Sequence, residues 1–174
     1  MDNLHITEFS GEDWETYKAL RLASLKDSPD AFESTFEREL NFTENVWRSR
    51  LTPSDNPVHI LPLVALSHGK PIGLATGVVH AHQDETAHIY QMWIAKPYRG
   101  LGIAKDFLDR IEAWASELER KFLSLAVTTH NASAVLLYQS AGFVPSGHTE
   151  PLRENSKLLV QPMVLTLTSD KAKH

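Results

Sequence analysis

Apolar residues change their spacing along this chain, and each change marks a different kind of element. From Trp14 they recur three and four apart, at Tyr17, Leu20 (flanked by Ala19 and Leu22) and Leu25, which lines one face of a helix. Ser10 is a candidate N-cap for it, Glu12 and Asp13 suit its first turn, and Pro29 ends it. Two shorter helical patches follow, at about 32–40 and 43–51. At Pro57 the helical spacing gives way to strand-like runs at about 58–67, 71–81 and 87–94, read as an antiparallel meander. His-Gly-Lys-Pro at 68–71 reads as a hairpin turn, and His-Gln-Asp-Glu at 82–85 as a longer loop. Pro62 requires an edge position or a bulge in the first run, because proline has no N–H to give a ladder.

The clearest helix comes next. Ile103, Phe107, Ile111, Trp114 and Leu118 form one stripe, widened by Leu108 and Ala115, with Asp106, Asp109, Arg110, Glu112 and Glu117 mostly opposite. Residues 121–129 read as a buried strand. Asn131 can cap a short helix that Gly142 closes. A last strand at about 158–168 contains Pro162, again at an edge or bulge. The order implies a mixed α/β (α+β) sheet with helices on its faces.

Composition keeps this to one domain. The 174 residues, 42% hydrophobic and 22% charged, suffice for one core, and no linker or repeat divides them. The expected parts are an N-terminal arm (1–56), a central core (57–145) and C-terminal strands (146–170). A formal charge of −5 argues against broad nucleic-acid binding. The absence of cysteine excludes disulfides, thiolate catalysis and cysteine-ligated zinc. The first residues carry no apolar signal segment, and the most apolar run, 58–66, is short and interrupted, so no membrane span is expected and a cytoplasmic location is the simplest reading.

Candidate chemistry concentrates at 93–107, where a strand runs through Arg99, Gly100 and Gly102 into the amphipathic helix. Such a turn presents free backbone N–H groups and a positive dipole end to a phosphate. It also serves as a plain strand-to-helix turn, and the local residues leave both readings open. The dinucleotide fingerprint needs glycine where Lys105 stands, and no Walker loop is present.

The motif R/Q-x-x-G-x-G/A does fit, as Arg99-Gly100-Leu101-Gly102-Ile103-Ala104, and it resembles the pyrophosphate loop of the GNAT superfamily of acyl-CoA-dependent N-acyltransferases. The flanking "HIYQMWIAKPYRGLGIAKDFLDRIEAWA" is similar to that family's strand, loop and helix, and "LAVTTHNASAVLLYQSAGF" to its next strand and helix. "LRLASLKDSPDAF" resembles the N-terminal arm of bacterial members, and "PMVLTL" their last strand. The resemblance implies a GNAT-like, mostly antiparallel sheet with a splayed central strand pair. Acetyl-CoA would be the acyl donor, with no metal.

By the same resemblance, backbone groups of Met92, Trp93 and Ile94 would hold pantetheine, although the same stretch reads as an ordinary interior strand. Amides from Leu101 through Gly102, Ile103, Ala104 and Lys105 would hold the pyrophosphate, with Arg99 and Gly100 completing the loop. Asn131 would contact the cofactor or simply cap its helix. Tyr138 would be the general acid to the CoA thiolate or a core tyrosine, and Ile94 the backbone oxyanion donor. Phe32 and Glu33, with the loop at 80–85, would shape the acceptor pocket.

Glu33, Glu37, Glu85 and His88 are all candidate general bases, and none stands out. Acidic Glu33, Glu37 and Glu39 suit either a cationic acceptor or a solvated helix face. His80 and His82 could share one strand face near His88 as a metal pair, a weak pattern without a carboxylate. The activity implied is N-acetyl transfer to a primary amine of a small molecule or peptide by direct attack in a ternary complex, in a monomer or homodimer. The alternative is a non-catalytic acyl-CoA-binding sensor or interaction module with the same fold.

Overall fold

The change of spacing at Pro57 is the entry into a sheet. In the computed structural model, which describes residues 3–167, the chain runs β1 (Leu4–Glu8), α1 (Trp14–Asp27), α2 (Phe36–Leu40), α3 (Glu44–Ser49), β2 (His59–Ser67), β3 (Lys70–Val79), β4 (Thr86–Ile94), α4 (Ile103–Glu117), β5 (Phe122–Thr128), α5 (Ala132–Ser140), β6 (Val144–Pro145), β7 (Glu150–Pro151) and β8 (Leu159–Thr166). The sheet order is β1-β2-β3-β4-β5-β8-β6, with β7 also on β8. β4 and β5 pair parallel, joined through α4, and the other described pairs are antiparallel. This is the mixed, mostly antiparallel sheet flanked by helices that the sequence implied.

The meander follows from its turns. His68 and Gly69 both take positive φ, +49° and +77°, which gives the two-residue hairpin whose twist matches the strands it joins. Both prolines sit where a missing N–H costs nothing. β2 is an interior strand, but β1 ends opposite Leu63, so Pro62 lies just past that pairing and its carbonyl accepts from Phe9 instead. Pro162 lies in the gap between the two short partners of β8.

Three elements differ from expectation. β1 was not foreseen: five residues with two apolar side chains carry too little periodicity to be read, yet they pair with β2 from Leu4↔Ser67 to Glu8↔Leu63. The helix expected over 32–40 starts only at Phe36, because Thr35 caps it by accepting from Arg38 N–H, leaving 28–34 with no more than a single 3-10 turn at Pro29–Ala31. The last strand ends at Thr166, and the rest of its expected range beyond 167 lies outside the described residues. Among the described residues no helix is long and apolar enough to cross a membrane.

The two faces of the sheet are built differently. On the α4 face a cluster of nineteen buried apolar residues, including Phe107, Ile111, Leu123 and Met163, packs α4 against β2–β5, with α5 at its border. Trp114, expected in the stripe, lies over Gly77, the position that lets the ring approach. On the α1 face a smaller cluster gathers Phe9, Tyr17, Trp47, Val64 and Leu74 beneath α1 and α3. Buried beside it is an ion cluster: Glu39, inaccessible to solvent, accepts from Arg21 (2.9 and 3.0 Å) and Arg50 (2.7 Å).

Candidate active site

β4 is paired differently along its two halves. Thr86, Ala87 and His88 lie beside Phe122, Leu123 and Ser124 of β5, and no pairing with β5 continues past His88. The strand goes on to Ile94 against β3 alone, so a fork opens between β4 and β5. The local cause is a bulge. The β3–β4 register shifts between Leu74 and Thr76, and Gln91 takes φ +63°, so the bulged strand bends. A left-handed, non-glycine residue costs roughly 1–2 kcal/mol. Tyr17 holds it in place, its hydroxyl donating to Gln91 Oε1 at 2.6 Å.

The main chain at the end of β4 alternates between ladder and fork. Ala95 donates its N–H to the Ile72 carbonyl, and Trp93 pairs with Leu74. Alternation therefore turns the main-chain groups of Ile94 and Met92 away from β3, toward the unpaired edge. The Ile94 carbonyl accepts from Arg99 Nε at 2.8 Å, which leaves its N–H facing the fork.

The glycine loop follows at once. Gly100 and Gly102 have φ +79° and +86°, and a Cβ at either would meet no atom within 4 Å. Glycine is needed there for its dihedral freedom, and the outer side of the loop is open. Gly102 is the N-cap of α4 and supplies no capping side chain. The first-turn N–H groups of Ile103, Ala104 and Lys105 therefore lack helical partners at the positive end of the dipole, a donor set suited to a phosphate.

Arg99 is committed elsewhere. Its Nη2 lies 2.7 Å from Asp27 Oδ2, which also accepts from Ser28 Oγ and Trp93 Nε1. The hydrogen bonds from Ser28 and Trp93, followed by Arg99, hold the Asp27 carboxyl down to about 2. The last residue of α1 thus anchors the loop. The Lys105 ammonium is also occupied, by Asp109 at 2.8 Å.

α5 borders the other side of the fork. Asn131 caps it, accepting from Ala134 N–H and Ser133 Oγ. Tyr138 reaches across to β4: its hydroxyl lies 3.8 Å from Met92 Sδ. Burial of that hydroxyl raises its pKa to about 12.

On the α1 face, the segment between α1 and α2 crosses the open end of the fork and is pinned from two sides. Thr128 Oγ1, at the end of β5, donates to the Asp30 carbonyl at 2.7 Å. Arg153 donates to the carbonyls of Pro29, Phe32 and Glu33. Phe32 is buried with the Arg21 guanidinium 4.7 Å over its ring, while Glu33 is exposed. The three glutamates of the arm separate: Glu37 is exposed, and Glu39, expected on a solvated face or at a cationic acceptor, belongs to the buried ion cluster. The expected strand placement of His80 and His82 is corrected. β3 ends at Val79, and in the loop beyond it His82 packs on His59 while His80 turns toward His88 and Tyr90. Among the described residues no group of three His, Cys, Asp or Glu converges as a metal set would.

The model of the acetyltransferase (GNAT) family matches residues 19–143, most of the chain and every element around the fork. The chain belongs to the GNAT family. Two Bacillus subtilis relatives, the uncharacterized N-acetyltransferases YycN and YdgE, are 38% and 37% identical over 68 and 62 residues. Those stretches are 37% and 36% of this chain and only 44% and 40% of the relatives' own lengths. A GNAT-family acetyltransferase from Streptococcus pneumoniae superposes with a TM-score of 0.75 at 25% identity, over 95% of this chain and 99% of that one. Spermidine N-acetyltransferase from Vibrio cholerae, solved with CoA and spermine, shares the fold at 0.72 and 22%, over 96% and 97%. PaiA N-acetyltransferase from Thermoplasma acidophilum, solved with coenzyme A, does so at 0.72 and 18%, over 94% and 98%.

This GNAT site also contains residues that sequence reasoning missed. Asp27, Gln91, Tyr17 and Arg153 act through contacts 66 to 124 residues apart in the chain, and no local pattern announces them. Tyr90 and His80 were visible only as parts of an alternating strand and a histidine pair.

Proposed function

We propose that this chain transfers an acetyl group from acetyl-CoA to a primary amine, the amine attacking the thioester directly while both substrates are bound. The observation that carries this reading is the unpaired second half of β4 opening beside the uncapped start of α4. Pantetheine, with its peptide-like amides, can add to that edge as a strand would, bringing its pyrophosphate to the first-turn N–H groups. Met92 and Ile94 would bind through their main chain, with Trp93 beside them, and Gly100 to Lys105 through their amides. Arg99, held by Asp27, would shape the loop, and Asn131 would meet the same cosubstrate while capping α5. The family's acyl-CoA dependence supports this assignment, and the spermine-bound neighbour supports a small amine as acceptor, near Phe32 and Glu33.

Acetyl-CoA supplies an activated acyl group. Ile94 N–H would donate to the thioester carbonyl oxygen as charge develops there. Tyr138 would donate its hydroxyl hydrogen to the departing sulfur. Full transfer from a phenol at about 12 to a thiolate of pKa near 8.5 is uphill by about 5 kcal/mol. Tyr138 would therefore stabilise the departing thiolate by its hydrogen bond and keep its own proton, the second proton of the nitrogen going to water. With no cysteine in the chain, no cysteinyl acyl-enzyme forms.

The test is a panel of primary amines read by release of the CoA thiol, beside acetyl-CoA binding by Gly102→Asp. Transfer by the wild type and lost binding in the variant are expected. Thiol release from no amine despite tight acetyl-CoA binding would make the chain a sensor. Unchanged affinity in Gly102→Asp would mean the loop does not hold the pyrophosphate.

A further inference from the structure

On the α1 face of the fork stands a hydrogen-bonded chain that the transfer described above does not use. His80 lies just past the end of β3, with Nδ1 3.2 Å from Asn56 Oδ1 and Nε2 3.0 Å from Tyr90 Oη. An amide oxygen only accepts, so Nδ1 carries the hydrogen and the neutral ring offers its lone pair at Nε2. The direction of the chain is thereby set: Tyr90 O–H donates to His80, and His80 N–H donates to Asn56.

Tyr90 sits on β4 two residues beyond the last pairing with β5, and it is 42% exposed. Its phenol therefore stands at the fork. The His88 ring stacks on it, with planes 11° apart and centroids 5.8 Å apart. Tyr90 and Met92 lie on opposite sides of the Gln91 bulge, so the hydroxyls of Tyr90 and Tyr138 approach the fork from different faces of the sheet.

We propose that Tyr90 takes the proton of the acceptor ammonium and passes its own to His80, with Asn56 holding the imidazole in the accepting tautomer. The proposal rests on the acetyl-transfer reading. One N–H bond of the ammonium breaks and its proton binds Tyr90 Oη, while the phenolic hydrogen moves to His80 Nε2. Positive charge passes from the nitrogen to the imidazole, and the freed lone pair is then available to form the C–N bond as the C–S bond breaks. His80 returns its proton to water.

The charges around the chain suit this path. Glu33 from the arm lies close enough to act on Tyr90, whose pKa is raised by burial and then by that carboxylate. The same negative charge favours an ammonium beside the phenol. His88 is held below its ordinary value by burial and then by His80, with Asp84 opposing. That depression disfavours a charge on His88, which eases the arrival of a proton at its neighbour. His82 and His59 pack on each other, 5.7 Å between centroids.

Two measurements on the full chain decide the matter. Nitrogen-15 NMR of the histidines should show the His80 Nδ1–H tautomer, and Asn56→Leu should abolish that preference while Asn56→Asp keeps it. An Nε2–H tautomer in the wild type would overturn the proposal. The second measurement compares ethylamine, protonated near neutral pH, with methoxyamine, which is not. Tyr90→Phe and His80→Gln should each slow transfer to ethylamine on the order of 10²-fold. Both should leave transfer to methoxyamine and acetyl-CoA binding nearly unchanged. Equal losses with the two amines would show a merely structural role and sink the proposal alone. Failure of the wild type with every amine would sink the transfer reading and the proposal together.

Discussion

The two faces of the sheet meet at the fork with opposite physical characters. The α4 face is an apolar block whose nineteen buried residues carry no charge, and the glycine loop and Tyr138 are set on its rim. The α1 face buries fewer apolar side chains and encloses Glu39, Arg21 and Arg50. A cosubstrate common to a whole family can be met by a surface with one shape, and apolar packing makes such a surface rigid. The amine differs between family members, and the face that would meet it is organised by directional polar contacts. Tyr17 joins the two systems, touching the aromatic cluster by its ring and the Gln91 bulge by its hydroxyl.

The sharpest way to break this comparison is Glu39→Ala. Removing one partner of a buried ion cluster typically costs about 3–5 kcal/mol, because a buried charge, here that of Arg21, is left uncompensated. Arg21 is only 4% exposed, so it has no route to water without movement of α1. Burial raises the Glu39 pKa, but Arg21 and Arg50 outweigh it and the net direction is down. Its contribution is thus complete above the unfolded carboxylate range near 4.3 and is lost as pH falls through the lower folded value. Denaturant melts should show the gap between wild type and variant narrowing on acidification. A gap constant across that range would remove Glu39 as a stabilising anion.

The matching change on the apolar face is Gly77→Ala. The new Cβ would lie 2.8 Å from Trp114 Cζ3 and 3.1 Å from Ile111 Cγ2, so α4 or the indole must shift. Overpacking of this kind costs about 1–3 kcal/mol, offset in part by the stiffer unfolded chain. The loss should be independent of pH, since no titrating group is involved, and a pH-dependent loss would contradict the contrast between the faces.

How much of this was legible depends on the range of the interactions. α4, the hairpin at His68-Gly69 and the cap at Asn131 obey rules that act within a few residues, so their residues announce them. The glycine loop was legible as a strand-to-helix turn, but its own residues left a phosphate site and a plain turn both open, because the positive φ of Gly100 and Gly102 serves either. β1 was not, because its pairing with β2 supplies the order that its own five residues lack. Glu39 reads as one more acid on an exposed helix until α1 and α3 bring two arginines to it. Asp27 is equally mute, since Trp93 and Arg99 reach it from 66 and 72 residues away.

A smaller effect separates the faces by chemistry. Tyr138→Phe would remove the donor proposed for the leaving sulfur and should lower kcat roughly tenfold or somewhat more, with acetyl-CoA binding intact. Because every amine displaces the same thiolate, the loss should be the same for ethylamine and methoxyamine. A loss that tracks the basicity of the amine would instead place Tyr138 on the acceptor's proton path.

The smallest expected effect tests the point where the two sides touch. Asp27→Asn keeps an oxygen for Trp93 and Ser28 but removes the charge that holds Arg99. Both side chains of that ion pair are more than a third exposed, so solvent screening limits the cost to about 0.2–1 kcal/mol. The Asp27 pKa is depressed to about 2, chiefly by Ser28 and Trp93, so its contribution is present above about 3.9 and lost only as pH falls toward 2. Near neutral pH the variant should melt almost as the wild type does. Its KM for acetyl-CoA should still rise about twofold, with kcat unchanged, because a loosened Arg99 releases the loop and the Ile94 carbonyl together. An unchanged KM would mean that the glycine loop keeps its shape without α1, and that the anchor at the end of that helix serves the acceptor side alone.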